Sequence, residues 1–503
     1  MATQPVPVVT ELNLYVDDGA LEMLPRRDAM RLQVLPMQIV GGKLVVAMVN
    51  PGDILKLDEL RRLTGRDIQP ARADLKVIDR GIQRFYGEKD ELETASALVE
   101  PGLVVQADAR GAPLMGGEDA PAVALVNELV ETAILSRASD IHVEAGTTKL
   151  QVRLRVDGVL FDHQSFPMEL HPSVSSRIKI MAGMDIGEKR LPQDGRFDAR
   201  LRGKVFDVRA SVVPSVFGET IVLRLLPKTS TGLKLSELGF SPDQLVMMED
   251  LVHRPHGMIF ATGPTGSGKT TTLYAILSRL DRVGRNVVTI EDPVEYQLTR
   301  ATQIQVHPKI GVDFAAGLRS ILRQDPDVIM VGEIRDLETL RMAIQSALTG
   351  HLVLTTVHCN DAASGAARLV DMGAEPFLVA SSATVFLSQR LVRCICTECK
   401  MEDQPSEDTL QALGIEGDGQ FYRGRGCEHC RGTGYYGRTS VFEIMMVNDV
   451  IAAAITRRET AGEIRALARS LGTRGLRDDG IQKALEGVTT LEEILRAVWV
   501  QEA

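Results

Sequence analysis

The stretch Gly263-Pro-Thr-Gly-Ser-Gly268-Lys269-Thr270 fits the pattern G-x-x-x-x-G-K-[ST]. It lies between an apolar run, Met258-Ile-Phe-Ala261, and residues Thr271 to Leu280, which read as a helix. In that setting Gly263, Pro264, Thr265, Gly266, Ser267 and Gly268 form a turn whose backbone N–H groups face phosphate oxygens. Lys269 brings positive charge to the β and γ phosphates, and the Thr270 hydroxyl, beside Thr271 at the helix start, can ligate Mg²⁺. The implied ligand is ATP with Mg²⁺.

Hydrolysis also needs acids. Asn286-Val-Val-Thr-Ile290 reads as a buried strand that ends in Glu291-Asp-Pro-Val-Glu295, and Val328-Ile-Met-Val331 as another that ends in Gly332-Glu333. In a parallel α/β sheet the strand ends on the phosphate-loop side face the nucleotide. Glu333 therefore stands where a Walker B acid would orient Mg²⁺ or polarise water, with Glu291 in the complementary role. A third strand, His351 to Val357, delivers His358, whose imidazole can sense the γ-phosphate. Arg319, Arg323 and Arg335 cluster nearby and suggest anion or subunit contacts.

Cys396-Thr-Glu-Cys399 and Cys427-Glu-His-Cys430 are two C-x-x-C knuckles that can close a tetrahedral thiolate site for Zn²⁺. Four sulfur ligands leave no open position, so the zinc would be structural. Cys394 offers an alternative first ligand, and Cys359 reads as a buried thiol.

At 503 residues the chain exceeds one core. Residues 1–87 read as a small α/β docking module, with a strand at Leu44 to Val49 and a helix at Ile54 to Thr64. Residues 88–120, acidic and then rich in Gly and Pro, read as a flexible linker. Residues 121–228 form an α+β domain, with a helix at Ala122 to Arg137 and strands at Leu150 to Val156, Val205 to Val212 and Thr220 to Leu226. Its strands carry Arg153, Arg155, Arg209 and Arg224, and composition alone does not separate solvated from functional arginines. Residues 235–391 alternate strands and helices as an α/β ATPase core, 392–440 hold the zinc subdomain, and 441–503 are helical, with a capping box at Thr490 to Glu493.

A formal net charge of −10 and a pI near 5.6 argue against broad nucleic-acid binding. No apolar run approaches the ~18 to 20 residues needed to span a bilayer, and the N-terminus carries Glu11, Asp17 and Asp18 in place of a basic start. The expectation is a cytoplasmic protein that meets the inner membrane only through a partner.

Together, Gly263 to Tyr274, Glu291 to Glu295, Leu318 to Asp327, Val331 to Asp336 and Thr349-Gly-His351 resemble the secretion ATPases of type II secretion and type IV pili. The resemblance runs from about Pro121 to the C-terminus. It includes Ala138-Ser-Asp-Ile-His142, Arg155-Val-Asp-Gly158, Leu191-Pro-Gln-Asp-Gly-Arg196 and Gly437-Arg438. The cysteine pairs set the chain apart from pilus retraction ATPases, and its shortish N-terminal region looks more like the type II secretion branch (general secretion pathway protein E), with pilus extension ATPases as the alternative. An Arg-Leu-Gly motif, through which some relatives bind cyclic di-GMP, is absent before Leu24.

The resemblance implies a RecA-like core, a PAS-like fold for residues 121–228 and a homohexamer with ATP at subunit boundaries. It implies that Arg209 and Arg224 reach the γ-phosphate from a neighbouring domain. It places Glu291 in an Asp box and His358 in a His box. It also implies that residues 1–87 dock on the cytoplasmic part of an inner-membrane secretion protein, while hydrolysis drives pseudopilus assembly.

Overall fold

The computed structural model describes residues 8–9, 16–21, 23–40, 42–75, 77–78, 81–82, 104–106, 120–228, 234–416 and 419–498. The chain divides into two compact units. One holds most of residues 1–227, and the other holds 228–503 together with 137–139 and 153–162.

In the first unit, β1 (Val8–Val9), β2 (Val34–Val40), β3 (Lys43–Met48) and β4 (Ile68–Ala73) form a sheet in the order β1-β4-β3-β2. The Ile54–Thr64 helix starts where the Asp53 carboxylate accepts from the Lys56 N–H at 3.2 Å. It stops at Gly65, whose φ of 65° a side chain would resist.

A seven-stranded sheet follows, made of β5 (Val104–Gln106), β6 (Ala138–Ala145), β7 (Lys149–Val156), β8 (Val159–Pro167), β9 (Gln193–Leu201), β10 (Lys204–Ser215) and β11 (Gly218–Pro227). Its order is β5-β9-β10-β11-β6-β7-β8. β5 corrects part of the linker expectation. Residues 104–106 pair with Arg200, Ala199 and Asp198 of β9, because an open strand edge accepts any extended β-branched segment within reach. The rest of 88–119 lies outside the described residues.

Alternation along β10 buries Val208, Ala210 and Val212 and leaves Arg209 on the opposite face. On the His171–Met181 helix Lys179 is 1% exposed and sits 2.5 Å from Glu219, which also accepts from Ser175 at 2.6 Å. Lys179 further donates to the Glu188 carbonyl at 2.6 Å. Lys179→Met strands a buried carboxylate and is expected to cost about 3–5 kcal/mol. Urea unfolding of the full chain, followed by a probe in residues 120–228, measures it; a loss below about 1 kcal/mol contradicts the pairing.

The second unit is built on β12 (Gly257–Thr262), β13 (Val287–Glu291), β14 (Thr302–Gln305), β15 (Val328–Val331), β16 (Leu352–Val357), β17 (Ala383–Ile395) and β20 (Tyr435–Met446). β18 (Lys400–Asp403) and β19 (Phe421–Gly424) form a separate pair. The sheet order is β14-β13-β15-β16-β12-β17-β20, parallel except for the last pair. β12, β13, β15 and β16 are buried throughout because apolar layers cover both faces. Met258 and Phe260 enter one layer, Ile259 and Ala261 the other. Residues 392–395 and 435–446, expected in the zinc and helical regions, are instead strand that extends this sheet, since the β17–β20 ladder continues past the cysteines' flanks.

Candidate ATPase site

The glycine turn leaves the carboxyl end of β12 and enters the Lys269–Arg279 helix. Gly263 and Gly268 have φ of 146° and 91°. A Cβ at Gly263 would lie 2.4 Å from Ser267 Oγ, and one at Gly268 would lie 2.8 Å from Gln389 Nε2, so the cradle closes only around bare backbone. Lys269 is 8% exposed and curls back to donate to the Gly263 and Pro264 carbonyls at 2.8 and 3.0 Å. Burial lowers its ammonium to about 8, against the attraction of Glu333. Ser267 Oγ is buried with no hydrogen-bond partner among the described residues. A bare-backbone turn, a lysine and an orphaned hydroxyl fit a nucleotide's phosphates. Thr270 is exposed at the helix start, where a hydroxyl could meet a phosphate-bound Mg²⁺.

Glu333 follows β15 and His358 follows β16, so two adjacent parallel strands end in these side chains. Glu333 Oε2 lies 3.6 Å from His358 Nε2, and Oε1 lies 2.5 Å from Arg335. The sequence placed these groups at one sheet end, and the structure brings them within contact. Arg319 instead pairs with Glu338 at 2.5 Å on the surface.

Glu291 departs from expectation. It ends β13 but is 2% exposed, accepting from Thr289 Oγ1 at 2.6 Å, from Gln303 Nε2 at 3.1 Å and from the Tyr274 hydroxyl. Burial raises its carboxyl above the usual range, and the three donors pull the other way. Three donors leave little of this carboxylate for metal or water. These contacts tie β13 to Tyr274 on the cradle's helix. On the same segment Asp292 is exposed and Glu295 half-buried, so these acids are the more accessible ones.

Sequence reasoning missed Gln389. It is fully buried on β17, donates to the Ser267 carbonyl at 2.7 Å and accepts from Thr272 Oγ1 at 2.8 Å, bracing both halves of the cradle. The available signal was a polar Ser388-Gln389 inside an apolar run.

Arg209 and Arg224 face each other across β10 and β11, and Arg209 also faces Arg196 on β9. Arg224 donates to Asp140 at 2.9 Å, and Arg209 to Asp207 at 3.3 Å. These carboxylates offset part of the positive charge that the cross-strand row gathers.

The sulfurs of Cys396, Cys399, Cys427 and Cys430 all lie within 4.8 Å of one another, with Cys396–Cys427 and Cys399–Cys430 both 3.8 Å and Cys427–Cys430 3.7 Å. Zn–S bonds of about 2.3 Å give tetrahedral edges of about 3.8 Å, so the cluster fits zinc. Cys394 stands outside this group, at a register shift of the β17–β20 ladder. Elemental analysis is expected to find one zinc per chain, kept in Cys394→Ser and lost in the Cys399→Ser/Cys430→Ser pair. Structural zinc is worth about 10–16 kcal/mol in apparent binding. Zinc lost from Cys394→Ser would reverse the assignment.

A glycine cradle with its lysine, at the carboxyl end of a parallel sheet beside an acid and a histidine, defines a P-loop ATPase. The chain belongs to the type II/IV secretion system protein family, which it matches over residues 116–496, and residues 5–92 match the MshEN domain. It is an ATPase of this secretion family. It is 42% identical over 500 residues to the type IV pilus assembly ATPase PilB of Myxococcus xanthus, covering 97% of this chain and 88% of that protein. To type II secretion system protein E of Xanthomonas campestris it is 44% identical over 490 residues, covering 95% and 86%. The ATPase DotB of Legionella pneumophila superposes with a TM-score of 0.55 at 22% identity, over 76% of this chain and 96% of its own, which supports the fold.

Proposed function

We propose that the chain is a hexameric motor that hydrolyses ATP to drive pseudopilus assembly for type II secretion. The observation that carries this reading is the Glu333–His358 pair, at 3.6 Å, at the ends of β15 and β16, of which β16 lies next to the cradle strand and β15 next to β16. Lys269, freed from the loop carbonyls, binds the β and γ phosphates, and Thr270 holds the Mg²⁺ that neutralises them. Glu333 orients the attacking water, with the more accessible Asp292 or Glu295 of the neighbouring strand end as its helper. Glu291 acts through Tyr274 on the shape of the cradle. His358, beside Glu333, reports γ-phosphate loss to the loop behind it. Arg209 and Arg224 complete the pocket of a neighbouring subunit.

Among the described residues no helix is long and apolar enough to cross a membrane. On this reading residues 1–87 attach the motor to the cytoplasmic part of an inner-membrane partner.

The second reading is a pilus assembly motor, favoured by the Myxococcus relative that spans 97% of this chain. Deleting the gene in its own organism separates the two. Exported enzymes trapped inside the cell envelope, with surface pili intact, are expected. Lost pili with unimpaired secretion would transfer the function to the second reading.

A further inference from the structure

Three polar residues in succession, Ser388, Gln389 and Arg390, interrupt the apolar run of β17, and all three are buried. Buried polar groups are kept where they find partners, and strand alternation sends these three to two different loops. Ser388 and Arg390 both donate to the Asn360 carbonyl, at 3.3 and 2.7 Å, and so hold the loop after β16. Gln389 faces the other way and reaches the glycine cradle.

Parallel pairing sets Ser388 opposite Thr262, the last residue of β12, so Gln389 stands beside Gly263, where the turn begins. Its side-chain amide donates to the Ser267 carbonyl at 2.7 Å and accepts from the Thr272 hydroxyl at 2.8 Å. A carbonyl can only accept, so the amide has one orientation here, with its NH₂ toward Ser267 and its oxygen toward Thr272. The Ser267 carbonyl needs that donor, because the helix ladder starts one residue later, where the Thr272 N–H donates to the Gly268 carbonyl at 3.1 Å.

A trans peptide is planar, with its C=O and N–H on opposite sides. Anchoring the Ser267 carbonyl to β17 therefore aims the Gly268 N–H away from β17, at the amino end of the Lys269–Arg279 helix, where phosphate oxygens would lie. The contact is tight: a Cβ at Gly268 would lie 2.8 Å from the Gln389 amide nitrogen.

We propose that Gln389 is a positioning residue for the nucleotide. It fixes the Ser267–Gly268 peptide so that the Gly268 N–H is a preset donor to the phosphates, and it thereby sets the affinity of the cradle for ATP and ADP more than the rate of hydrolysis. It acts through the Ser267 peptide and not by touching the nucleotide. Glu333 and His358 end β15 and β16, and the side-chain bonds of Gln389 go to neither. The inference rests on the glycine turn being the nucleotide site, and not on which machine the ATPase drives.

The test is calorimetry of the full chain with ADP and Mg²⁺, alongside steady-state ATP hydrolysis. Gln389→Leu, apolar and of similar size, strands the Ser267 carbonyl. It is expected to weaken ADP about tenfold or more and to raise KM for ATP by a similar factor, with kcat changed less than about threefold. Ser388→Ala, the adjacent change on the face toward Asn360, should leave ADP affinity within about twofold, since Arg390 still holds that carbonyl.

Gln389→Glu gives a readout that strand damage would not. As a carboxylate it accepts from Thr272 but cannot donate to Ser267, whereas the neutral acid can do both. Burial favours the neutral acid, so the ADP deficit of this variant relative to the parent should shrink several-fold from pH 8 to pH 6. Lys269→Ala is the reference for the site. ADP affinity intact in Lys269→Ala would remove the cradle assignment itself, while a loss there with none in Gln389→Leu removes this proposal alone. Equal losses in Gln389→Leu and Ser388→Ala, or a Gln389→Glu deficit unchanged between pH 8 and pH 6, also overturn it.

Discussion

In assembled protein, Arg209→Ala and Arg224→Ala are each expected to lower kcat for ATP hydrolysis by about 10³ to 10⁵, with a much smaller change in KM. The arginines sit opposite one another on β10 and β11, and Arg196 continues the row on β9. Three guanidinium groups at cross-strand spacing gain most when a γ-phosphate, more charged in its transition state, lies against them. Arg224→Lys should recover little, because a point charge does not reproduce a fork. The decisive experiment mixes Arg209→Ala/Arg224→Ala chains with Lys269→Ala chains. If one subunit's arginines serve its neighbour's nucleotide, the mixture regains part of the activity that neither parent shows. Dead arginine variants with no recovery on mixing would place their action within one chain.

Lys269→Ala should reduce kcat by about 10² to 10³ and weaken ATP binding, since it removes the charge aimed at the transferred group. Lys269 also sets a pH limit. Burial holds it at about 8, so the free protein carries the ammonium below that pH and loses it above. Bound phosphate restores the proton, so kcat stays level while KM for ATP rises by up to about tenfold per pH unit beyond 8. Steady-state phosphate release from pH 6.5 to 9.5 measures both. Lys269→Arg, which stays charged, should erase the rise in KM. A flat KM in the parent protein would mean that the lysine is not buried before nucleotide arrives.

Local spacing made much of the site legible. The cradle needs its glycines, lysine and threonine within eight residues, and Glu333 and His358 follow short apolar strands, so their place at the sheet end came from chain order alone. Glu291 shows where that logic stops. A strand end fixes where a backbone finishes, while the side chain follows its donors, and Thr289, Gln303 and Tyr274 draw this one inward. Glu493 makes the same point. Its N–H donates to Thr490 at 3.2 Å as the capping pattern implies, but its carboxylate turns to Arg393 at 2.8 Å across the core. Buried at 1% exposure, it serves a strand a hundred residues away.

By itself, then, the sequence determined the phosphate cradle, the acid and histidine at the ends of their strands, the two thiolate knuckles and the alternation of elements, because each is encoded within a few residues. Only the tertiary structure decided that Gln389 braces the cradle, that the Glu291 carboxylate is buried against Tyr274, Thr289 and Gln303, and that Cys394 stands apart from the four sulfurs. Those outcomes depend on which strands become neighbours, and the β12–β17 and β17–β20 pairings join segments about 130 and 50 residues apart.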